Sequence, residues 1–543
     1  MKICTVTTTY ARQYMNTAAI GNTVLTCGPK IITGFRSKGV KAYTSSSTSS
    51  QRVKMTVGGL DQPSDQPFFT LHNETNDDAA TPQSDPHRAR LGRISVKGRR
   101  TLDTPDFLAL TSRGVVPHIS PDVVGEQTEF AGVYTAIEDY VEKATRGGVP
   151  PIMSMPARNS TPLHSFTALP PSLITVLSPR RSPAVSAPQG NPDSGLSIFS
   201  STGFQSLSTQ RYAEYANYIK PDITVAMGDL PYGPMPGKKR ASKMSERTTI
   251  WVDKFLSELS KSPESPDTPA TAVFAPILTR DYQSQFEYIE HIAEDLAPSL
   301  SGLAFYSSSL LPDIPQAASL DRLVRLSLDE PSSPHEILRQ ISLGMDVFTI
   351  PYLGFATDSG LALTYEFPSP STPDSSNPSV EATSLQPLAI DLFSPTYSTA
   401  VTPLIPSCTC YACTSHHRAY IQHLLNAKEM LAWTLLALHN HHSTSTFFAA
   451  VRKSIAAGTF EADKEVFERT YETELPEATG HKPRARGYHF KSGAAEPKRN
   501  KPAWGALSEG ASSTTQTPLL VPDEDGKALD EKGFAEDLAE TPE

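Results

Sequence analysis

The sequence predicts an α/β protein of the (β/α)8 barrel class. Two observations carry that prediction. From Arg211 to Tyr352, segments of helical period alternate with short buried-strand segments, the pattern of a parallel sheet wrapped by helices. At 543 residues the chain is long enough for one large barrel with extensions, or for two or three average domains. A third observation marks a metal-binding segment behind the barrel: three of the five cysteines, Cys408, Cys410 and Cys413, lie within six residues.

Residues 1–86 read as an extension, disordered or targeting-like. The first 60 are rich in Ser and Thr and carry eight basic residues between Lys2 and Lys54, with no Asp or Glu. That composition is transit-peptide-like. A disordered tail, with Met55 as an alternative start, is the competing reading. Residues 61–86 are polar and turn-rich, so order is expected to begin at Arg88.

The barrel is expected over residues 87–407. Residues 89–122 read as short strands separated by turns, and 170–179 (PPSLITVLSP) as a strand inside a Pro/Ser-rich stretch. RYAEYANYIK from Arg211 has helical period, and DITVAMGDLP after it reads as a buried strand. Glu246 to Ser260 is a second helix, ATAVFAPIL a strand and YQSQFEYIEHIAEDLAPSL one helix. GLAFYS is a strand, SLDRLVRLSLDE contains another, PHEILRQISLG is a helix ending at Gly344, and MDVFTIPY is the next strand. Residues 366–385 form a low-complexity insertion. Residues 408–475 form the metal-binding subdomain and closing helices. A long helix is expected from about Ser415 to Asn440 with Leu424, Leu431, Leu435 and Leu438 as its apolar stripe. A further helical segment follows from Thr444 to Leu475, and residues 476–543 read as a disordered tail.

Composition narrows the function classes. There is no apolar run near the ~20 residues that cross a bilayer. The net charge of −10 argues against a protein whose whole surface binds nucleic acid, although Lys482–Lys501 is locally basic. Five cysteines, an odd number, do not make a disulfide framework and fit a reducing compartment.

Cys408-x-Cys410-x-x-Cys413 supplies three thiolates within a short arc. Zinc favours four tetrahedral ligands, so a fourth must come from elsewhere. Spacing alone leaves His416, His417, His423, His439, His441 and His442 in competition. His439 sits at the far end of the expected helix, on the turn above Leu435, and a helix packed back over the cysteine turn would deliver it. Three thiolates and one imidazole close the coordination sphere, which makes such a site structural. Three free reduced thiols are the alternative.

The run from Cys408 to Asn440 resembles the zinc region of the tRNA-guanine transglycosylases. That family carries Cys-x-Cys-x-x-Cys, then Arg-Ala-Tyr on a helix, then a ligating His in a His-Asn pair. Here these are Cys408, Cys410, Cys413, Arg418-Ala419-Tyr420 and His439-Asn440. ARLGRISV, LDTPDFLALTSRG, KMSERTTIW and LSLDEPSSPHEILRQISLGMDVF resemble further family segments, so the resemblance spans about residues 88–475. It implies a TIM-type barrel with an inserted zinc-binding subdomain, and one structural Zn2+ held by Cys408, Cys410, Cys413 and His439.

Members of that family exchange guanine at the tRNA wobble position for a queuine-type base. A carboxylate attacks the ribose anomeric carbon and holds a covalent RNA intermediate. The family's catalytic strand ends Asp-x-Phe-Asp, with the second Asp as nucleophile. Here it reads Asp346-Val347-Phe348-Thr349, and Thr349 takes the nucleophile's place. A hydroxyl needs a neighbouring base to attack carbon. Asp346 is retained, but strand alternation points it to the face opposite Thr349. The family's Asp-Ser-Gly-Gly-Phe-Gln has only an echo in Ser200–Gln205, where Ser200 would replace the general-base Asp. Met227-Gly228-Asp229-Leu230 stands for its base-recognition motif, with Asp229 displaced by one and assigned no contact. Pro276-Ile277-Leu278 replaces its Gln-Gly-Gly loop.

These departures resemble the non-catalytic branch of the family. The resemblance then implies no catalytic residue in this chain, a heterodimer with a catalytic homologue, and tRNA as the shared partner. An active transglycosylase, and a zinc-stabilised scaffold with no tRNA role, are the rival readings. The family expectation for compartment is the cytoplasm, while the basic start points to mitochondrial association.

Overall fold

A computed structural model of the chain describes residues 67–72, 88–141, 149–156, 160–187, 190–200, 203–230, 237–261, 271–315, 317–369 and 385–480. The expectations for residues 1–66, for most of the 366–385 insertion and for the Lys482–Lys501 stretch lie outside these residues.

Three short strands, β1 (Phe69–Leu71), β2 (Gly92–Ile94) and β3 (Leu102–Thr104), form an antiparallel sheet. The barrel follows as β4 (Asp106–Leu110), β5 (Gly132–Ala136) and β6 (Ile174–Ser178). Strands β7 (Gly195–Ser200) and β8 (Gly203–Ser208) make an antiparallel hairpin outside it. Strands β9 (Ile223–Val225), β10 (Ala272–Ile277), β11 (Gly302–Phe305), β12 (Val324–Ser327) and β13 (Val347–Thr349) complete the barrel. The order is β4-β5-β6-β9-β10-β11-β12-β13, with β13 pairing back onto β4, and every pairing is parallel. The eight-stranded parallel barrel predicted from alternation is therefore present.

Around it run α1 (Pro121–Gln127), α2 (Pro162–Thr167), α3 (Thr209–Ile219), α4 (Lys238–Ser260), α5 (Phe286–His291), α6 (Ala318–Asp321), α7 (Pro334–Ser342) and α8 (Pro351–Asp358). Alternation along each strand splits the core in two. Leu108, Val176, Val225, Leu326 and Val347 fill the interior, while Phe107, Leu177, Leu303 and Phe348 face the helices. The N-terminal end of the barrel is closed by Ile94 and Leu102 of β2 and β3. Only about 10 Å³ remains among these interior side chains, room for at most one water.

The first departure from expectation is β1. Residues 61–86 were expected to be extension, yet Phe69–Leu71 pairs with β2, and Phe68 meets Phe274 edge-on at 6.3 Å. Two aromatic side chains find an apolar wall, which offsets a weak strand signal. The second concerns α4, which starts at Lys238 rather than Glu246. The third is the expected single helix at 282–300. It breaks into α5, a π-turn at Ile292–Leu296 and a 3-10 turn containing Pro298, whose missing N–H cannot continue the α ladder.

Beyond the barrel, β14 (Leu361–Leu363) pairs with β15 (Ala389–Asp391), followed by α9 (Tyr411–Ser415), α10 (Arg418–Asn426), α11 (Met430–Ala457) and α12 (Phe460–Thr470). The expected helix from Ser415 to Asn440 is thus two helices, divided at Lys428, which takes a left-handed φ of 56°. Leu424 belongs to α10, Leu435 and Leu438 are buried on α11, and Leu431 is exposed, so no single stripe exists. Helix α11 runs through the expected break at Ser443 and ends at Gly458, which adopts the left-handed cap.

Helix α11 is the structural link between the two parts. Its first half buries Ala432, Trp433, Leu435 and Leu436 in a core shared with Ala362, Leu392, Leu404 and Ile421. Its second half packs on the barrel, where Phe448 stacks on Phe107 of β4 at 5.7 Å and meets Phe348 of β13 at 5.6 Å. Most of its length is buried, with Met430, Leu431, Thr446 and Lys453 among its exposed positions. No helix among the described residues is long and apolar enough to cross a membrane.

Candidate functional site

Four residues converge between α9 and α11. Cys408 lies in the loop before α9, Cys410 is its N-cap, Cys413 is inside it, and His439 is in the third turn of α11. Their ligand atoms all lie within 4.8 Å of one another. The Sγ atoms of Cys408, Cys410 and Cys413 stand 3.7, 3.6 and 3.4 Å from Nδ1 of His439. A tetrahedral zinc with Zn–S of about 2.3 Å and Zn–N of about 2.0 Å sets sulfur and nitrogen roughly 3.5 Å apart. The group is positioned to bind a metal ion and fits a zinc site.

The surroundings fix each donor. His439 is fully buried, and its Nε2 meets the Leu363 carbonyl of β14 at 2.9 Å, which leaves Nδ1 to face the sulfurs. The neighbouring Asn440 locks the same strand: its Oδ1 accepts from Leu363 N at 3.0 Å, and its Nδ2 donates to the Leu361 carbonyl at 3.0 Å and Thr357 Oγ1 at 2.9 Å. The His-Asn pair therefore clamps α11 to β14 while presenting one nitrogen to the cluster. The Cys413 backbone N–H donates to Cys410 Sγ at 3.4 Å.

Without a cation among them, the donors shift one another strongly. Hydrogen bonds from Cys410 and Cys413 hold the Cys408 thiol far below the ordinary range, and the same bond to Cys408 drives the Cys410 thiol up. Burial pulls His439 down, but its bonds to Cys408 and Cys413 outweigh that and raise it to about 9. Three sulfurs packed this closely need positive charge at their centre, and a divalent cation supplies it.

None of the competing histidines joins the four-residue group. His417 caps α10, accepting from Tyr420 N at 3.2 Å, and His416 stacks on Tyr420. His423 is exposed. His441 points to the opposite side of α11, between Phe107 and Phe130, while His442 sits at the edge of the cluster, reaching Cys408 and pairing with Glu129 at 3.3 Å.

The C-terminal mouth of the barrel, where barrel enzymes place their chemistry, looks different. Thr349 ends β13, is fully buried, and its hydroxyl donates to the Ser327 carbonyl at 3.3 Å. Asp346 precedes β13 and so sits at the other end of the barrel. Its carboxylate takes Arg90 Nε at 2.8 Å, Arg90 Nη2 at 2.5 Å and Arg325 N at 2.7 Å. Ser200 ends β7, and its hydroxyl donates to the Gly203 carbonyl at 3.0 Å within the hairpin. Leu278 is fully buried in an apolar cluster with Leu230 and Met244, and Gln285 holds its N–H and carbonyl at 3.1 Å each. Tyr306 packs on that cluster, its pKa pushed up to about 12 by burial.

Carboxylates do occur near the mouth: Asp358 meets His118 at 2.6 Å, Asp329 accepts from Ser308 N at 2.8 Å, and three others are tied to arginine. Glu138 is ion-paired with Arg180 at 2.9 Å and Arg181 at 3.2 Å. Asp139 is paired with Arg181 at 2.9 Å, and burial still pushes its carboxyl up to about 6. Asp229, to which the sequence assigned no contact, accepts from Asn191 at 2.8 Å, Arg240 at 3.0 Å and Arg247 at 2.8 Å. Sequence reasoning missed these networks because their partners lie 11 to 61 residues away, on α4, on β7 and in the loops carrying Arg180 and Asn191. The signal available was the charge itself: acids inside otherwise apolar strand ends need buried partners.

Comparison with known proteins places the chain in a family. The family described as Queuine tRNA-ribosyltransferase matches residues 85–473. A Schizosaccharomyces pombe protein named Queuine tRNA-ribosyltransferase accessory subunit 2 is 35% identical over 425 residues, 78% of this chain and 90% of its own length. Proteins of the same name from Drosophila mojavensis and Culex quinquefasciatus are 27% and 26% identical, each covering 68% of this chain and 86% of their own. The chain belongs to the queuine tRNA-ribosyltransferase family.

Proposed function

We propose that this chain is the non-catalytic subunit of a two-subunit queuine tRNA-ribosyltransferase. It pairs with a catalytic homologue, holds one structural Zn2+ and helps position tRNA. Its partner exchanges guanine for queuine at the wobble position of tRNAs with GUN anticodons. The observation that carries this reading is the end of β13. Thr349 stands where a nucleophilic carboxylate is expected, and its hydroxyl is committed to a backbone carbonyl. Asp346, the alternative nucleophile, is locked to Arg90 at the opposite end of the barrel. Held there by both arms of a guanidinium, this carboxylate cannot reach a ribose carbon at the mouth.

The relatives named as accessory subunits support the same assignment. Zinc is the expected metal because three thiolates and an imidazole suit it, and four protein ligands leave no open position. The role is then to order α9 and α11, and through Phe448 to brace β4 and β13. We place the protein in the cytoplasm, with residues 1–60 as the segment that would carry mitochondrial association.

The test is co-purification. The chain and a catalytic homologue, expressed together, are expected to elute as one complex with both subunits in equal amounts. Two separate peaks at micromolar concentration would remove the basis for the accessory role.

A further inference from the structure

The first turns of α4 carry a cluster of cations that no step above uses. A shallow concave surface is lined by Gly237, Lys238, Lys239, Arg240, Lys243 and Arg247. Two of the five cations are held from beneath. Buried Asp229 accepts from Arg240 and Arg247, and Arg247 also pairs with Asp193. The two carboxylates leave three positive charges in excess, on Lys238, Lys239 and Lys243. All three lysines are exposed, and among the described residues none has an ion pair. Lys97, Lys254, Lys428 and Lys453 are also exposed without an ion pair, but each stands singly, whereas three such lysines lie within six residues at the start of α4.

Helix stability does not explain the cluster. Cations at a helix start oppose the macrodipole, where Asp or Glu is favourable. Helix α4 nevertheless has no acid before Glu246. On a chain of net charge −10, a local excess of this kind is a surface for a polyanion. Its place narrows the choice. Asp229 follows the C-terminal end of β9, and Thr349 ends β13, so the patch lies on the same barrel face as the mouth. Asp229 ties both arginines to that face, which fixes the patch relative to the barrel.

We infer that Lys238, Lys239 and Lys243, with Arg240 behind them, bind the phosphate backbone of RNA. The inference rests on the proposed tRNA-positioning role and names the surface that performs it. Each lysine neutralises one phosphate and adds to affinity without reading sequence.

The test uses the full chain paired with its catalytic homologue, and a tRNA with a GUN anticodon, over a range of salt concentrations. The triple variant Lys238→Ala, Lys239→Ala, Lys243→Ala keeps helix propensity. Its affinity is expected to fall at least tenfold at low salt, and the slope of log affinity against log salt to become shallower by about 2 to 3. Arginine at all three positions should restore both. Unchanged affinity and slope, with a wild-type pair that binds tRNA, would overturn the phosphate assignment and leave the accessory role standing. Loss of pairing with RNA affinity intact would make the patch a site for an acidic protein surface and overturn it as well. A wild-type pair that binds tRNA no better than the catalytic homologue alone would defeat both readings.

Discussion

The metal centre and the barrel mouth are built from the same chain under opposite constraints. At the metal centre, every polar atom points inward to one spot: Cys408, Cys410, Cys413 and His439 lie within 4.8 Å, with His439 held by Leu363. At the mouth, polar atoms point away from any shared centre. The Thr349 hydroxyl goes to a backbone carbonyl, Glu138 and Asp139 go to Arg180 and Arg181, and Leu278 fills apolar space with Leu230. Convergence is what a bound group requires, and satisfied dispersal is what a stable wall requires. The fold thus gathers ligands at one place, while at the mouth a cavity of about 80 Å³, lined by Leu110, His118, Ile350 and Asp358 among others, lies beside side chains committed to their own neighbours.

Removing the metal ligand should produce the largest effect. Cys410→Ser is expected to lose zinc by elemental analysis and to lower the melting temperature by on the order of 10 °C, because a structural metal contributes folding free energy directly. Acid should release the metal too, since its thiolates must be deprotonated to bind. Full zinc content in the variant would break the comparison at its first half.

The second effect concerns the clamp at the closed end of the barrel. Asp346→Ala strands Arg90, which is largely buried, and should cost about 3–5 kcal/mol in urea unfolding. Base exchange by the folded pair should not change. A loss of exchange without a loss of stability would return Asp346 to the list of reacting groups.

A third effect sharpens the account of the mouth through pH. The folded pKa of Asp139, raised to about 6 by burial, lies above its unfolded value of about 4. The folded state therefore holds the extra proton between those values. This contribution is full below about pH 4 and is lost as pH rises through 6. Two units correspond to about 3 kcal/mol. Asp139→Asn removes the titration, so its stability relative to wild type should climb by that amount between pH 4 and 7. A constant difference across the window would show that Arg181 holds Asp139 ionised throughout.

The smallest effect is expected at Thr349. Thr349→Val removes one hydrogen bond to a carbonyl and should cost about 1 kcal/mol or less, with exchange by the pair intact. A large drop in exchange would place Thr349 in the chemistry.

Much of this was legible in the sequence, for physical reasons that can be named. Strand and helix periods announced the barrel, and three thiols in six residues announced the metal. Spacing could not select His439 over five other histidines, because ligation depends on where α11 lies, and that was supplied only by family resemblance. The break at Lys428 was invisible since neither Gly nor Pro marks it. Strand β1 was hidden in a polar stretch because Phe68 and Phe69 gain their apolar wall only in the folded chain. Asp229 was set aside because it is displaced by one from the family motif, yet its partners Asn191, Arg240 and Arg247 meet only once the barrel closes.

The most direct test is base exchange by the chain alone. Purified protein is mixed with radiolabelled guanine and a tRNA with a GUN anticodon, then supplemented with the catalytic homologue. The account predicts no incorporation above the protein-free control from the lone chain, and robust incorporation once the partner is added. Robust incorporation by the lone chain would contradict it.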